Sequence, residues 1–301
     1  MLAKLAKLNT FVYPMVLGIS DSDSGVFLAK MEKAIPTSVF ERLTGLVEEI
    51  AEKELASNFK NAAHTWKLDG SPVTEMDAKV QLVLEDALPK IISAPVLGEE
   101  MPQAKQEAIW KQRDAGIWCV DPIDGTTNFI NGIPYFAISI SFIRGSESII
   151  GLVFNPMSKE NYYAEKGGGA YLDGARLRKG SNGRSQLSEC VASVDLKRLP
   201  HSLRSRLTSA PPYASQRNFG AASLEWCHVA SGLFDLYIHG SQKIWDLAAG
   251  SLVLSESGGI MSSFADDDLW LGEELHRSVL ASGSQIIFKQ LRDWLSSTEE
   301  I

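Results

Sequence analysis

From Thr37 onward, apolar positions recur in helical and strand-like patterns. Leu43, Leu46, Val47, Ile50 and Leu55 mark one helix face, and Ser38 with Glu41 makes an S-x-x-E cap at its start. The polar segment 61–71, with Lys67, Asp69 and Gly70, separates this helix from a second one. There Thr74 and Asp77 form the cap, and Met76, Val80, Val83, Leu84, Ala87 and Leu88 form the buried stripe. Ala94-Pro95-Val96-Leu97 reads as a short strand running into Gly98-Glu99-Glu100, and residues 101–115 are polar, a loop or an exposed helix. Apolar residues then run up to Val120. A buried strand is expected to end there in a tight turn, Asp121-Pro122-Ile123-Asp124-Gly125, that feeds a short helix.

Alternation over residues 134–142, 149–154 and 161–165 predicts strands, with turns at Arg144-Gly145 and Asn155-Pro156. Lys166-Gly167-Gly168-Gly169 breaks the pattern. Asp173-Gly174 is a hairpin signal between Ala170-Tyr171-Leu172 and Ala175-Arg176-Leu177. Consecutive hairpins imply an antiparallel sheet covered by helices. Later patterns have lower contrast. Residues 191–195, 233–238, 260–264 and 279–281 read as strands. Helices are expected from Gly220-Ala221-Ala222-Ser223 to Gly232, over 247–256, and from Ser284 onward. No internal repeat or low-complexity linker appears, which favours one compact domain over 37–301 with halves meeting near residue 185.

Composition narrows the class. With 301 residues, 45% of them hydrophobic and 22% charged, the chain has ample material for a large core. A net charge of -8 without any basic tract argues against a nucleic-acid partner. Cys119, Cys190 and Cys227 make neither a disulfide framework nor a CxxC site, which favours a reducing, cytoplasmic setting. The isolated histidines leave no zinc spacing. Lys4 and Lys7 precede an apolar run, 11–19, that imitates a signal peptide only in part, since it contains Pro14 and lacks a small-residue cleavage site. Residues 1–36 are expected to be a disordered extension or a misplaced start, Met31 being an alternative one. No stretch reaches the ~18 apolar residues that span a bilayer, so no membrane partner is expected.

Five carboxylates change the picture: Glu99, Glu100, Asp121, Asp124 and Asp246 each follow an apolar or glycine-containing approach. Any one of them alone reads more readily as a cap or a turn residue than as a ligand. Converging together they would repel and raise one another's pKa, a cost that divalent cations remove. Oxygen-only ligands select magnesium or a similar hard ion. Pro122 stiffens the turn, and Gly125 lets backbone amides approach an anion. Carboxylates beside such amides suggest metal-assisted phosphoryl chemistry. A second Gly-Glu-Glu, residues 272–274, lies in a polar stretch with no apolar strand before it and reads as surface.

These elements resemble the inositol monophosphatase family of magnesium-dependent, lithium-sensitive phosphatases. The resemblance is carried by Gly98-Glu99-Glu100, by Asp121-Pro122-Ile123-Asp124-Gly125-Thr126-Thr127-Asn128-Phe129 and by Trp245-Asp246-Leu247-Ala248-Ala249-Gly250. Val73-Thr74-x-x-Asp77 is a weaker fourth element. The resemblance runs from about Thr37 to the end of the chain. It implies an α+β fold, the layered αβαβα sandwich of inositol monophosphatases and fructose-1,6-bisphosphatases, and a homodimer. It also implies two or three Mg2+ ions per site. Glu99, Asp121 and the Ile123 carbonyl would hold the first, and Asp121 would bridge to a second held also by Asp124 and Asp246. Glu100 would reach metal through water. Gly125 and Thr126 would present amides to phosphate, while Asp77 and Thr126, with Glu99 nearby, would activate the attacking water. The implied reaction is direct, in-line hydrolysis of a phosphate monoester.

The substrate is less legible. The family hydrolyses inositol monophosphates, fructose bisphosphate, nucleotide 3'-phosphates and histidinol phosphate, and Thr127-Asn128-Phe129 is most like the inositol branch. In that branch Gly220, Ala221 and Ala222 would lie against a phosphorylated polyol, with Ala222 touching it. Inositol enzymes tend to carry a Glu seven residues before the late metal acid. His239 stands there instead, either a hydrogen-bonding pocket residue or an exposed loop histidine. Arg217 and Glu225 read as surface or helix-packing residues that could also enter the pocket. The alternative of another class is a non-catalytic metal- or phosphate-binding regulator; loss of a metal acid would favour it, and all are present.

Overall fold

The first apolar stripe becomes α1 (Thr37–Ile50), which buries Val39, Leu43, Val47 and Ile50 and continues through a π turn to Leu55. Ser38, read as its cap, already lies inside the helix. The computed structural model describes residues 37–67, 70–178, 183–265, 268–270 and 274–297. The expectations for residues 1–36 and for Gly272-Glu273 fall outside them. Phe40 packs tilted against Tyr163, and Thr44 accepts a hydrogen bond from Asn161, so α1 rests on the first sheet.

A hairpin of β1 (His64–Trp66) and β2 (Pro72–Thr74) occupies the edges of the polar segment. All three β1 residues are exposed, so no apolar period marks the strand. α2 (Glu75–Ala87) starts at the expected capping box of Thr74 and Asp77.

Seven strands form the first sheet in the order β3 (Val96–Gly98), β4 (Ile117–Asp124), β5 (Ala137–Ile143), β6 (Ser148–Asn155), β7 (Glu160–Glu165), β8 (Gly169–Leu172) and β9 (Ala175–Arg176). Every neighbouring pair is antiparallel except β3 with β4. A parallel pair needs a crossover. α3 (Gln103–Trp110) supplies it and buries Gln106, Ile109 and Trp110, which gives the polar stretch 101–115 an inward edge. β4 does not stop at Val120. It continues through Asp124, with a register shift between Asp121 and Asp124 where Pro122 has no amide hydrogen to give to the ladder. α4 (Thr126–Asn131) follows.

The second sheet has the order β11 (Ser215–Arg217), β10 (Val191–Asp195), β12 (Leu236–Lys243), β14 (His276–Ser282) and β13 (Ile260–Ser262). β10 is parallel to both β11 and β12, while β14 is antiparallel to β12 and β13. No apolar pattern announces β11 or α5 (His201–Ser209), which buries only Leu207. α6 (Ala222–Ser231) and α7 (Ile244–Glu256) pack between the sheets, and α8 (Gln285–Ser296) covers the second sheet from outside together with α5. With α1 and α2 outside the first sheet, the layers follow the expected αβαβα order.

α7 is buried on nearly every side, as a helix between two sheets must be. Its neighbour α6 comes so close that a Cβ on Gly250 would lie 2.5 Å from Trp226 Cβ. Gly250→Ala is therefore expected to destabilise the fold by about 1–3 kcal/mol through overpacking. A urea midpoint equal to the parent's would show that the contact has slack. Among the described residues, no helix is long and apolar enough to cross a membrane.

Candidate active site

The parallel pairing of β3 with β4 sets Gly98 beside Val120, so Glu99 and Glu100 emerge next to Asp121. Gln106 of α3 donates to the carbonyls of Gly98 and Glu99, at 3.0 Å each, and fixes that turn. Asp246 comes from the first turn of α7, tied to β5 by Ser139 Oγ donating to the Trp245 carbonyl at 3.0 Å. One carboxylate oxygen each from Glu99, Asp121 and Asp246 lies within 4.8 Å of the others. Asp121 is buried and accepts the Ile123 N–H at 3.0 Å. Asp124 stands beside the cluster with both oxygens turned to the start of α6. It accepts from Ala222 N–H at 3.1 Å, from Ser223 N–H at 2.6 Å and from the Ser223 hydroxyl.

Burial dominates the electrostatics. It pushes Asp121 well above the carboxylate range, and Glu99, Asp124 and Asp246 add to the shift. Asp246 rises likewise, through burial and then Asp124 and Glu99. Asp124 is pushed to about 6 by burial against the opposing Ser223 and Ala222 donors. Glu100 goes to about 7 through burial and Glu99. The Lys67 ammonium meets Glu99 at 2.8 Å and Glu100 at 2.7 Å. Burial alone would lower its pKa, but the two carboxylates hold it above the ordinary lysine value. One lysine cannot neutralise five clustered acids. An all-oxygen donor set whose charges repel this strongly fits hard divalent cations.

Beside the cluster, Asp77 is buried and accepts from Thr74 N–H at 2.7 Å, from the Thr74 hydroxyl and from the Thr126 hydroxyl at 3.1 Å. Burial raises its pKa, and the bonds from Thr74 partly oppose this. Thr126 Oγ1 is also 3.0 Å from the Ile123 carbonyl. The hydroxyl has one proton; given to Asp77, it leaves that carbonyl free to face a cation. Gly125 has φ 91°, and a Cβ there would sit 3.1 Å from both Ala221 Cβ and the Gly220 carbonyl. Only glycine lets this turn and the 220–221 backbone meet.

A cleft of about 380 Å³ opens against Asp124 and Asp246, and Gly220, Ala221, Ala222 and His239 stand in its wall. Asn128 Nδ2 donates to the Phe219 carbonyl at 2.6 Å, while the Glu225 carboxylate accepts from Phe219 N–H at 2.9 Å and Gly220 N–H at 3.3 Å. The Phe219–Gly220 peptide is thus held from both sides. Glu225 is 2% exposed, also accepts from Ser193 at 2.6 Å, and is pushed up to about 7 by burial. Arg217 is exposed and folds back on Ser215 and the Gln216 carbonyl.

His239 is not an exposed loop residue. β12 begins three residues later than the apolar pattern suggests and runs on to Lys243, so His239 is a buried strand residue, register partner of Asp195 on β10. Its Nδ1 accepts the Ser241 N–H at 3.1 Å, which places the ring proton on Nε2, 3.4 Å from Asp195 Oδ2. Burial would raise the Asp195 pKa, but hydrogen bonds from His239 and the Lys197 amide take it below the ordinary value.

The sequence model of the Inositol monophosphatase family matches residues 36–295. The chain belongs to the inositol monophosphatase family. The inositol-1-monophosphatase of Rhizobium meliloti is 35% identical over 254 residues, 81% of this chain and 91% of that protein. The fructose-1,6-bisphosphatase/inositol-1-monophosphatase of Thermotoga maritima is 32% identical over 198 residues, 64% of this chain and 72% of that one. Among solved structures, the extragenic suppressor protein suhB from Bartonella henselae superposes with a TM-score of 0.73 at 25% identity, covering 87% of this chain and all of that one. Membership in the inositol monophosphatase family makes the chain a phosphoric monoester hydrolase of a metal-dependent family.

Several residues around this site escape sequence reasoning. Lys67 meets Glu99 across 32 positions, and Ser223 meets Asp124 across 99, so no local spacing marks either. Gln106 looks like one polar residue of a polar stretch until α3 turns it inward. Glu225 carries a sequence-visible hint, an acid on an otherwise apolar helix face.

Proposed function

We propose that this enzyme hydrolyses small phosphorylated polyols, inositol 1-phosphate foremost, with Mg2+ as its metal and water as the nucleophile. The observation that carries this reading is the Glu99–Asp121–Asp246 oxygen cluster, whose Asp246 also lines the polar cleft. Glu99, Asp121, Asp124, Asp246 and the Ile123 carbonyl are the groups to hold two ions, with Glu100 reaching a further one through water. When bound, the ions supply Lewis acidity, making water a better nucleophile and the alkoxide a better leaving group.

The chain's own residues position the reactants. Asp77 takes the Thr126 proton into its hydrogen bond, so a Thr126 lone pair is left to accept from the attacking water. Glu99 stands next to the same point as a further acceptor. The amides of Gly125 and Thr126, at the left-handed turn into α4, face the phosphate. Ala222 gives the polyol a small apolar neighbour, its methyl group, while its amide is already spent on Asp124. His239, with Asp195 behind it, and the Gly220–Ala221 backbone offer hydrogen-bonding groups to hydroxyls. Residues 37–301 are read as one phosphatase domain acting as a cytoplasmic homodimer.

The test is phosphate release with Mg2+ from inositol 1-phosphate, fructose 1,6-bisphosphate, adenosine 3',5'-bisphosphate and histidinol phosphate. Release is expected from the polyol esters. No release from any member would overturn the catalytic reading, and preference for the nucleotide or for histidinol phosphate would overturn the polyol.

A further inference from the structure

The crossover helix α3 turns one face onto a hollow that hydrolysis in the cleft leaves without a use. Gln103, Gln106, Glu107, Trp110 and Lys111 recur at the three-and-four spacing of a single helix face, and all five line a space of about 500 Å³. The opposite wall is made where β12 ends, α7 starts and β14 begins, by Lys243, Trp245, Leu275 and His276. The catalytic cleft shares only Lys243 and His276 with this hollow. The two spaces are therefore neighbours with separate floors.

The sheltered polar groups of the hollow are mostly donors with nothing to give to. Trp110 is 3% exposed, yet its indole N–H meets no acceptor. Buried tryptophans ordinarily find one. Trp245 is buried as well; its carbonyl accepts from Ser139, but its indole N–H has no acceptor among the described residues. The Lys243 ammonium lies 5.9 Å over the Trp245 ring, a contact that uses none of its three N–H donors. Gln106 gives its amide nitrogen to the Gly98 and Glu99 carbonyls, which leaves its Oε1 as a spare acceptor. Glu107 and Glu274 stand at the exposed rim, where water screens their charge, and Glu107 also holds Gln103 at 2.8 Å. Two indole rings and Leu275 supply the apolar surface. A space of this size with apolar walls and a few convergent polar groups has the make-up of a small-molecule site. Its occupant must bring acceptor oxygens, a flat apolar body and little to donate.

We propose that this hollow binds a small aromatic carboxylate, and that its occupancy is felt at the metal acids. The carboxylate takes the Trp110 and Trp245 N–H groups and faces Lys243, while the ring packs against the indoles and Leu275. Two of the contacted residues support the acid cluster. Gln106 fixes the turn that carries Glu99, and Lys243 gives its backbone N–H to Asp246 at 3.3 Å. A ligand that shifts either support changes the spacing of the oxygens that would hold Mg2+. By linkage, Mg2+ then changes the affinity for the ligand by the same factor. The site stands whichever ester the cleft hydrolyses.

Calorimetric titration of the full chain with phenylacetate, and with its neutral analogue phenylacetamide, tests this. Phenylacetate is expected to bind saturably, one per chain, about tenfold or more tighter than the amide. Trp110→Phe keeps a ring and removes the N–H, and is expected to weaken phenylacetate severalfold. Lys243→Met should do the same, and keeps the test available should Trp110→Phe fail to fold. Inorganic phosphate at saturation with Mg2+ should leave phenylacetate bound, and saturating phenylacetate should shift the Mg2+ affinity severalfold. No saturable binding, equal affinity for the amide, or affinity untouched by both variants would overturn the site. Displacement by inorganic phosphate would overturn it too, by putting the probe in the cleft. An unchanged Mg2+ affinity would overturn the link to Glu99 and Asp246. None of these outcomes depends on phosphate release, so failure here is distinguishable from failure of the phosphatase reading.

Discussion

Asp121→Asn is expected to reduce phosphate release by about a thousandfold or more while the protein stays folded. The substitution preserves shape: the remaining side-chain oxygen still accepts the Ile123 N–H that Asp121 accepts at 3.0 Å. What disappears is the charge, and in its place an amide points two hydrogens at the oxygens of Glu99 and Asp246. A neutral amide would hold a divalent cation far more weakly than a carboxylate does. Stability should not suffer, because Asp121 is a buried acid among Glu99, Asp124 and Asp246, all of which already push its pKa up. Phosphate release at saturating Mg2+ and the thermal midpoint by circular dichroism check the two halves separately. Retained turnover would remove Asp121 from the metal site, and a large fall in the midpoint would show that activity was lost through the fold.

The acidic turn is legible because its chemistry is local. Asp121, Asp124 and Gly125 lie within five residues, and Pro122 and Gly125 say what the backbone must do there. The assembly of the site is less legible because it depends on pairing. Glu99 reaches Asp121 only because β3 and β4 run parallel, and that requires the crossover helix α3, whose surface is mostly polar. The helical stripes of α1 and α2 and the hairpin at Asp173-Gly174 are readable from period and turn chemistry: the hairpin turns where expected, and the stripes bury Leu43, Val47, Ile50, Met76, Val80 and Leu84, while Leu46, Val83 and Ala87 are only half-buried. β1 and β11 were not, since short strands with little buried surface have no period to read. His239 illustrates both limits. Its position relative to Asp246 was countable, but its burial followed from where β12 begins, and its partner Asp195 comes from a strand 44 residues earlier.

Metal-free enzyme is expected to lose stability as the pH rises from about 4 to about 7, and Mg2+ is expected to restore it most at the upper end. Unfolded carboxylates titrate near 4. In the folded protein Asp124 is pushed to about 6 and Glu100 to about 7, chiefly by burial, and Asp121 and Asp246 are raised as well. A raised acid binds its proton more tightly in the folded state, so that contribution is complete below the unfolded pKa and disappears as the pH passes the folded one. Asp195 has the opposite sign, but its lowered pKa confines its effect to pH below about 4; His228, pushed down to about 4 by burial, and His276, also lowered, oppose the trend between there and about 6.5, where the raised carboxylates outnumber them. Lys67 stays charged across the whole window and offsets part of the repulsion at Glu99 and Glu100. A net loss of a few kcal/mol lowers the midpoint of a protein this size by several degrees. In EDTA the thermal midpoint should therefore be higher at pH 5 than at pH 8. The gain on adding Mg2+ should be larger at pH 8, where protons no longer compete for the same oxygens. A flat or rising profile in EDTA would mean that Lys67 already compensates the cluster. The oxygens of Glu99, Asp121 and Asp246 would then have little repulsion for a cation to relieve.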